Sequence, residues 1–213
     1  MARTTGSDGT RTAEAIRQAA IDLIAARGFE AMTLRELAER VGIQPGSLYR
    51  YFPSKARLLV DLQVGHLEFL LEHWQLEQPR DTDPVTRLRA FVDFHIRSHT
   101  LRRQEVFVAN MELRSLPPAD YRRVVGLRRR YETALTDILR DGITQGLFRI
   151  PDAKIATFAI LAMLTGVGSW YRESGRIGQR ELIDIYTRLV MQCVAAHLSK
   201  DLVADQVSDE PRR

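Results

Sequence analysis

Apolar residues recur every three or four positions along almost the whole chain, and no stretch alternates apolar with polar residues for long enough to make a convincing strand. That rhythm restricts the chain to helices packed on helices. Glycines and prolines then cut it into pieces. Ile16, Ala20, Leu23 and Ile24 share one face of a first helix, which stops near Gly28. Thr33 precedes Glu36 at capping-box spacing and opens a second helix with the face Leu34, Leu37, Ala38 and Val41, ended by Gly42. A very short third helix runs from about Pro45 to Tyr51. Pro53 breaks it, and Ser54 can cap a long fourth helix reaching towards Gln78.

Beyond a polar loop, Pro84 suits the first turn of a fifth helix. Further helices are predicted through Glu105–Leu113, over Ala119–Gln145, Ala153–Arg172 and Gln179–Leu198. The expected architecture is all-α. A small helix-turn-helix domain over residues 10–60, with its motif at 33–52, precedes a larger helical bundle over 61–199. The polar tail, 200–213, is expected to be disordered.

A chain of 213 residues can bury a sizeable core without staples. Cys193 is the only cysteine, which excludes an intrachain disulfide framework and a Cys-rich zinc module. Residues Met1 to Arg11 carry no signal-peptide pattern, and the longest uncharged run, 155–171, includes two threonines and two glycines and falls short of the ~20 apolar residues of a membrane span. A cytoplasmic protein without a membrane partner is expected. The formal charge is +4, and its distribution is uneven. Residues 1–60 hold 9 basic and 6 acidic side chains, against 22 and 21 in the remainder. An anionic partner should meet the N-terminal end.

Two short helices joined by Gly42-Ile43-Gln44 have the turn length of a helix-turn-helix. To bind DNA, such a motif needs small or polar residues at the start of its second helix and hydroxyls or cations beside them. Gln44, Pro45, Gly46 and Ser47 supply the first, while Tyr49, Tyr51 and Lys55 supply the second. Leu48 and Phe52 can anchor the helix inward. An ordinary helical hairpin with a tyrosine-rich surface fits the same spacing.

The residue identities go further. The pattern Thr33, Leu37-Ala38, Val41-Gly42-Ile43, Gly46-Ser47-Leu48-Tyr49, Tyr51-Phe52 and Lys55 resembles the DNA-binding domain of the TetR family of bacterial transcriptional regulators. So does the preceding helix with Gly28-Phe29. The resemblance covers residues 11–60 and implies a homodimeric repressor that binds double-stranded operator DNA and is released by a small effector. It places Arg35, Pro45, Gly46 and Ser47 at base edges, and Thr33, Tyr49, Tyr51 and Lys55 on phosphates. Gln44 stands where the family usually has Ser or Thr, so either the helix start is frayed or Gln44 reads adenine.

The bundle shows no catalytic or phosphate-loop signature, so no enzyme activity and no cofactor are expected. His95 and His99 sit one turn apart and could share a metal, but a core or pocket role is favoured and no metal is expected. His66 and His73 lie about 10.5 Å apart along the helix, too far to share an ion. Arg128-Arg129-Arg130 reads as a solvated face, with an anion clamp as the minor alternative. The apolar helix at 155–171 should be buried on most sides, and Leu182, Ile185, Tyr186, Leu189, Val190, Cys193 and Val194 form a stripe on the last helix. The family resemblance implies that these two helices form the dimer interface.

A looser resemblance, through Gly142-Ile143, Gly146, Phe148-Arg149, Trp170-Tyr171-Arg172, Gly175-Arg176-Ile177 and Tyr186, is to regulators of fatty-acid and sterol catabolism that respond to acyl-CoA esters. Glu173 replaces the proline common after Trp-Tyr-Arg there. Phe69, Leu70, Trp74, Phe91, Phe94, Phe107, Leu161 and Leu164 offer apolar material for a pocket. Trp74, Phe94, Phe107, Trp170, Arg172 and Arg176 are the candidate effector-binding residues, with the arginines for phosphates at the mouth. Trp170 as plain packing and Arg172 as a helix cap fit equally well. A helical lipid- or acyl-binding protein without DNA activity is the alternative function.

Overall fold

The computed structural model describes residues 7–195; the tail at 200–213 and the predicted end of the last helix at Leu198 lie outside them. Among the described residues are nine α-helices, one 3-10 turn and no strand. They are α1 (Ser7–Arg27), α2 (Leu34–Val41), α3 (Pro45–Tyr51), α4 (Lys55–Glu77), α5 (Pro84–Leu101), α6 (Arg103–Met111), α7 (Pro118–Thr144), α8 (Ala153–Trp170) and α9 (Gln179–Ala195), with the 3-10 turn at Leu113–Ser115.

Local chemistry sets most helix ends. Gly28 closes α1 at φ +84° and Gly42 closes α2 at φ +75°, a region that glycine enters without a Cβ penalty. Oxygens of Thr33, Ser54, Asp83 and Asp152 accept from the first free backbone N–H groups of α2, α4, α5 and α8. The predicted capping box is only half made: Thr33 caps, but Glu36 turns away to pair with Arg27. Between α5 and α6 there is neither glycine nor proline. The helix breaks at Arg102, at φ −109° and ψ 39°, and α6 starts without a side-chain cap.

Two apolar cores form. The first joins Ile16, Ile24, Leu37, Leu48 and Phe52 to Leu58, Leu59 and Leu67 of α4, and also to Val108 of α6 and Val124 of α7. The second gathers Leu70, Trp74, Phe91, Phe94, Leu135, Ile138, Leu164 and Val190. Helix α4 runs through both. Along one of its faces Leu59, Gln63, His66 and Leu70 follow at helical spacing, and all four are buried. Gln63 has no hydrogen-bond partner for either amide atom among the described residues.

Gly142, near the end of α7, is where the Phe148 ring packs; a Cβ there would fall inside the ring. Helix α8 departs from expectation. Its inner face is buried, with Leu164 and Val167 at 0% exposure, but Ile155 is 63%, Phe158 46% and Trp170 50% exposed. It packs on α5 and α7 at the outside of the bundle, so this chain alone supplies neighbours for one side only. The α9 stripe likewise divides: Leu182, Val190 and Val194 are fully buried, whereas Leu189 and Cys193 face outward.

Candidate nucleic-acid interface and bundle cavity

Leu48, fully buried, pins α3 to the first core and Tyr51 packs partly against it, while Pro45, Gly46 and Tyr49 point away. Gln44, Pro45, Gly46 and Tyr49 are exposed, as are Thr33 and Arg35. Ser47, Tyr51 and Lys55 are half-buried. A shallow surface groove brings Arg35, Gln44, Pro45 and Tyr49 together. Arg35 Nε donates to Glu39 Oε1 at 3.3 Å, a loose, exposed pair of little strength. A Cβ on Gly46 would meet nothing within 4 Å in this chain, so the missing side chain leaves room for an external partner. Gln44 is the N-cap of α3 by backbone alone; its side chain makes no cap bond, yet the helix start is intact. The frayed start is therefore not observed. Lys55 opens α4, where its ammonium donates to the Glu30 carbonyl at 3.0 Å and lies 4.4 Å from the Phe29 ring centroid. Two of its three donors remain for a phosphate.

Within the bundle, α4 to α8 line a half-open cavity of about 270 Å³. Leu67, Leu70, Phe158 and Leu161 line its apolar part, and His66, His95, His99, Arg128 and Tyr131 its polar part. The rings of His95 and His99 stack at 3.7 Å, and His66 meets His99 edge-on at 6.2 Å. The phenolic O–H of Tyr131 is within reach of His95 Nδ1 at 3.1 Å, His95 Nε2 reaches Thr165 Oγ1 at 3.2 Å, and His99 Nδ1 donates to the His95 carbonyl at 2.9 Å. Burial, with the imidazoles of His99 and His66 beside it, holds His95 well below its ordinary range, and burial takes His99 down to about 3. Burial also pushes the Tyr131 hydroxyl far up, so all three groups are neutral at neutral pH. No group of three or more potential ligands suited to a metal occurs among the described residues.

The candidate effector residues are distributed differently from expectation. None of the six lines this cavity. Trp74 and Phe94 are sealed in the second core, and Trp170 is half exposed against Tyr186. Arg176 is exposed in the loop before α9. Phe107 and Arg172 meet in a separate polar cleft against α1, beside Arg102 and Arg103. Arg172 also donates to the carbonyl of Tyr171 at 2.9 Å, so it binds the chain end that follows α8.

The sequence model described as "Bacterial regulatory proteins, tetR family" matches residues 16–62, and that described as "Tetracyclin repressor-like, C-terminal domain" matches residues 81–194. The chain belongs to the TetR family. The HTH-type transcriptional repressor KstR2 of Mycolicibacterium smegmatis is 27% identical over 197 residues, covering 90% of this chain and 94% of that protein. A tetR-family regulatory protein from Rhodococcus RHA1 superposes with a TM-score of 0.82 at 28% identity, over 87% of this chain and 98% of the other. AibR, solved with isovaleryl coenzyme A and operator DNA, shares the fold at a TM-score of 0.75 and 23% identity, over 84% of this chain and 97% of its own. This TetR-family member is a DNA-binding transcriptional regulator, not an enzyme.

Three residues of this TetR chain escaped the sequence reading. His66, too far along α4 from His73 to share an ion with it, meets His99 across helices instead. Arg128 is not a solvated residue: its guanidinium donates to the Ala109 carbonyl and to Asn110 Oδ1, and burial lowers its pKa from the ordinary arginine range. A signal was present, since Val124, Arg128, Tyr131 and Leu135 share one helical face. Glu112, at the end of α6, is nearly buried, and its Oε1 accepts from the Phe29 N–H at 2.9 Å.

Proposed function

We propose that this TetR-family regulator is a homodimeric repressor of a palindromic operator, released by an effector with a short apolar group and a polar acceptor end, an acyl-CoA being the best candidate. The observation that carries the effector half is the cavity itself. It is apolar on one side, holds neutral imidazoles and a phenol on the other, and ends at a cationic side chain. At about 270 Å³ it sits at the lower edge of ligand pockets and suits an acyl group, with the nucleotide part of a CoA ester left outside. The complex of the similarly folded AibR with isovaleryl coenzyme A supports that class.

For DNA, Arg35, Gln44, Pro45, Gly46 and Ser47 would face base edges, and Thr33, Tyr49, Tyr51 and Lys55 phosphates. Two recognition helices about 34–36 Å apart would enter successive major grooves. The open face of α8, with Ile155, Phe158 and Trp170, together with Leu189 and Cys193 of α9, would be closed by the same face of a second copy. We read α8, which by length and composition alone could cross a membrane, as an interface helix of a cytoplasmic protein.

The test is release from the DNA beside the chain's own gene. Isovaleryl-CoA should weaken binding by about 100-fold, within the usual range of coupling, while the free acid and free CoA do so poorly. Equal release by free acid and ester would reject the CoA half. An absence of salt-dependent binding to any DNA would reject the repressor.

A further inference from the structure

We infer that Arg128 links the cavity to the DNA-binding domain through the end of α6, so that an acceptor atom on a ligand and the backbone of α6 compete for one guanidinium. This rests on the cavity being the effector site.

The structure places four groups in sequence. Arg128 borders the cavity and binds the last turn of α6 through Ala109 and Asn110, while its Nε–H is buried with no partner among the described residues. Glu112, two residues beyond Asn110, closes α6, its own N–H donating to the Val108 carbonyl. The Glu112 carboxylate accepts from the Phe29 N–H at 2.9 Å and from the Ser115 hydroxyl at 2.9 Å. Phe29 follows Gly28, whose missing Cβ would stand 3.8 Å from Glu112 Oε1, and the Phe29 ring lies under Lys55 at the head of α4. The short segment 109–112 is therefore bonded at one end to the cavity and at the other to the turn between α1 and α2.

A carbonyl oxygen entering the cavity beside Arg128 would offer an acceptor to a guanidinium whose buried Nε–H has none, reached only by drawing that group out of its present place. Buried donors left unpaired are unfavourable, so the guanidinium turns towards such a ligand and its hold on Ala109 weakens. The loosened α6 end then holds Phe29 less firmly. A purely apolar ligand has no means of doing this. The ligand class that this arrangement reads is thus an apolar group carrying a carbonyl oxygen, as an acyl thioester does.

Hydrogen exchange at the Phe29 amide tests the link without any ligand. Arg128→Met and Glu112→Ala should each speed exchange there at least about tenfold while amides in the middle of α7 keep their protection. Glu112→Gln, which retains the accepting oxygen, should exchange as wild type. So should Leu161→Ala, which alters the same cavity without touching the polar chain. In the second arm, isovaleryl-CoA and isovalerate are added to wild type, and the ester should speed the same amide while the acid does so poorly. Glu112→Ala should bind the ester as wild type does, yet its loss of operator affinity should shrink from about 100-fold to under about 10-fold. A Phe29 amide as protected in Arg128→Met as in wild type overturns the inference, whatever the cavity binds. A wild type indifferent to both probes, with Phe29 still loosened by Arg128→Met, supports the link and removes acyl-CoA as its ligand.

Discussion

Arg35 and Tyr49 border the same groove, yet they should fail differently when altered. A guanidinium on a base edge reads one position, whereas a phenol on a phosphate reads none. Arg35→Ala is expected to relax preference at one base pair, with about 1–3 kcal/mol lost there, and Tyr49→Phe to weaken all sequences alike. Competition against single-base operator variants separates the two. Lys55 is a poorer probe, because its ammonium also holds the Glu30 carbonyl. The buried histidines give a second expectation. Below pH 6.5 the unfolded chain takes a proton on His95 and on His99, and the folded chain refuses it until far lower pH, near 3 for His99. Stability is complete above about 6.5 and lost as pH falls, by up to about 1.4 kcal/mol per unit for each group. Thermal melts from pH 7.5 to 5 should show this, and His99→Leu should flatten the slope by one proton. The exposed motif residues were legible because a seven-residue helix pinned by one buried leucine leaves them nowhere else to point. His66, Arg128 and Glu112 were not, since their partners lie 33, 19 and 83 residues away along the chain.

Helices announce their ends better than their surroundings. Ser54, Asp83, Gly28 and Gly42 act on backbone groups within a few residues, so the sequence contains the whole interaction. The break at Arg102 has no such local agent and was not foreseen at that residue. Helix α8 fails in the other direction. Its composition says that it should be covered, but composition cannot say whether the cover comes from the same chain. The division of α9 sharpens an experiment. Leu189 is 41% exposed and Val190 fully buried, so only the first belongs to a surface that a second copy can close. Leu189→Arg should sediment as a folded monomer with weakened operator binding. Val190→Arg places a charge in the second core, a penalty of several kcal/mol, and should lose its cooperative melt instead.

At the scale of the molecule, a small helical unit followed by a bundle was readable from the change in helix length. That the small unit borrows its core was not. A boundary at residue 60 falls inside α4, and the apolar cluster on its N-terminal side continues to Leu67 and out to Val108 and Val124. Such sharing is a long-range property, invisible to spacing rules that see one helix at a time. On the buried face of α4 that leads from Leu59 in the first cluster to Leu70 in the second sits Gln63, with both amide atoms unmatched among the described residues. A sequence selected for rigidity alone would carry leucine there. Gln63→Leu should raise stability by about 1–3 kcal/mol, read as roughly 2–4 °C of Tm per kcal/mol. The native glutamine makes this stretch of α4 a site of frustration, and its amides are expected to be the first of the helix to lose hydrogen-exchange protection on warming.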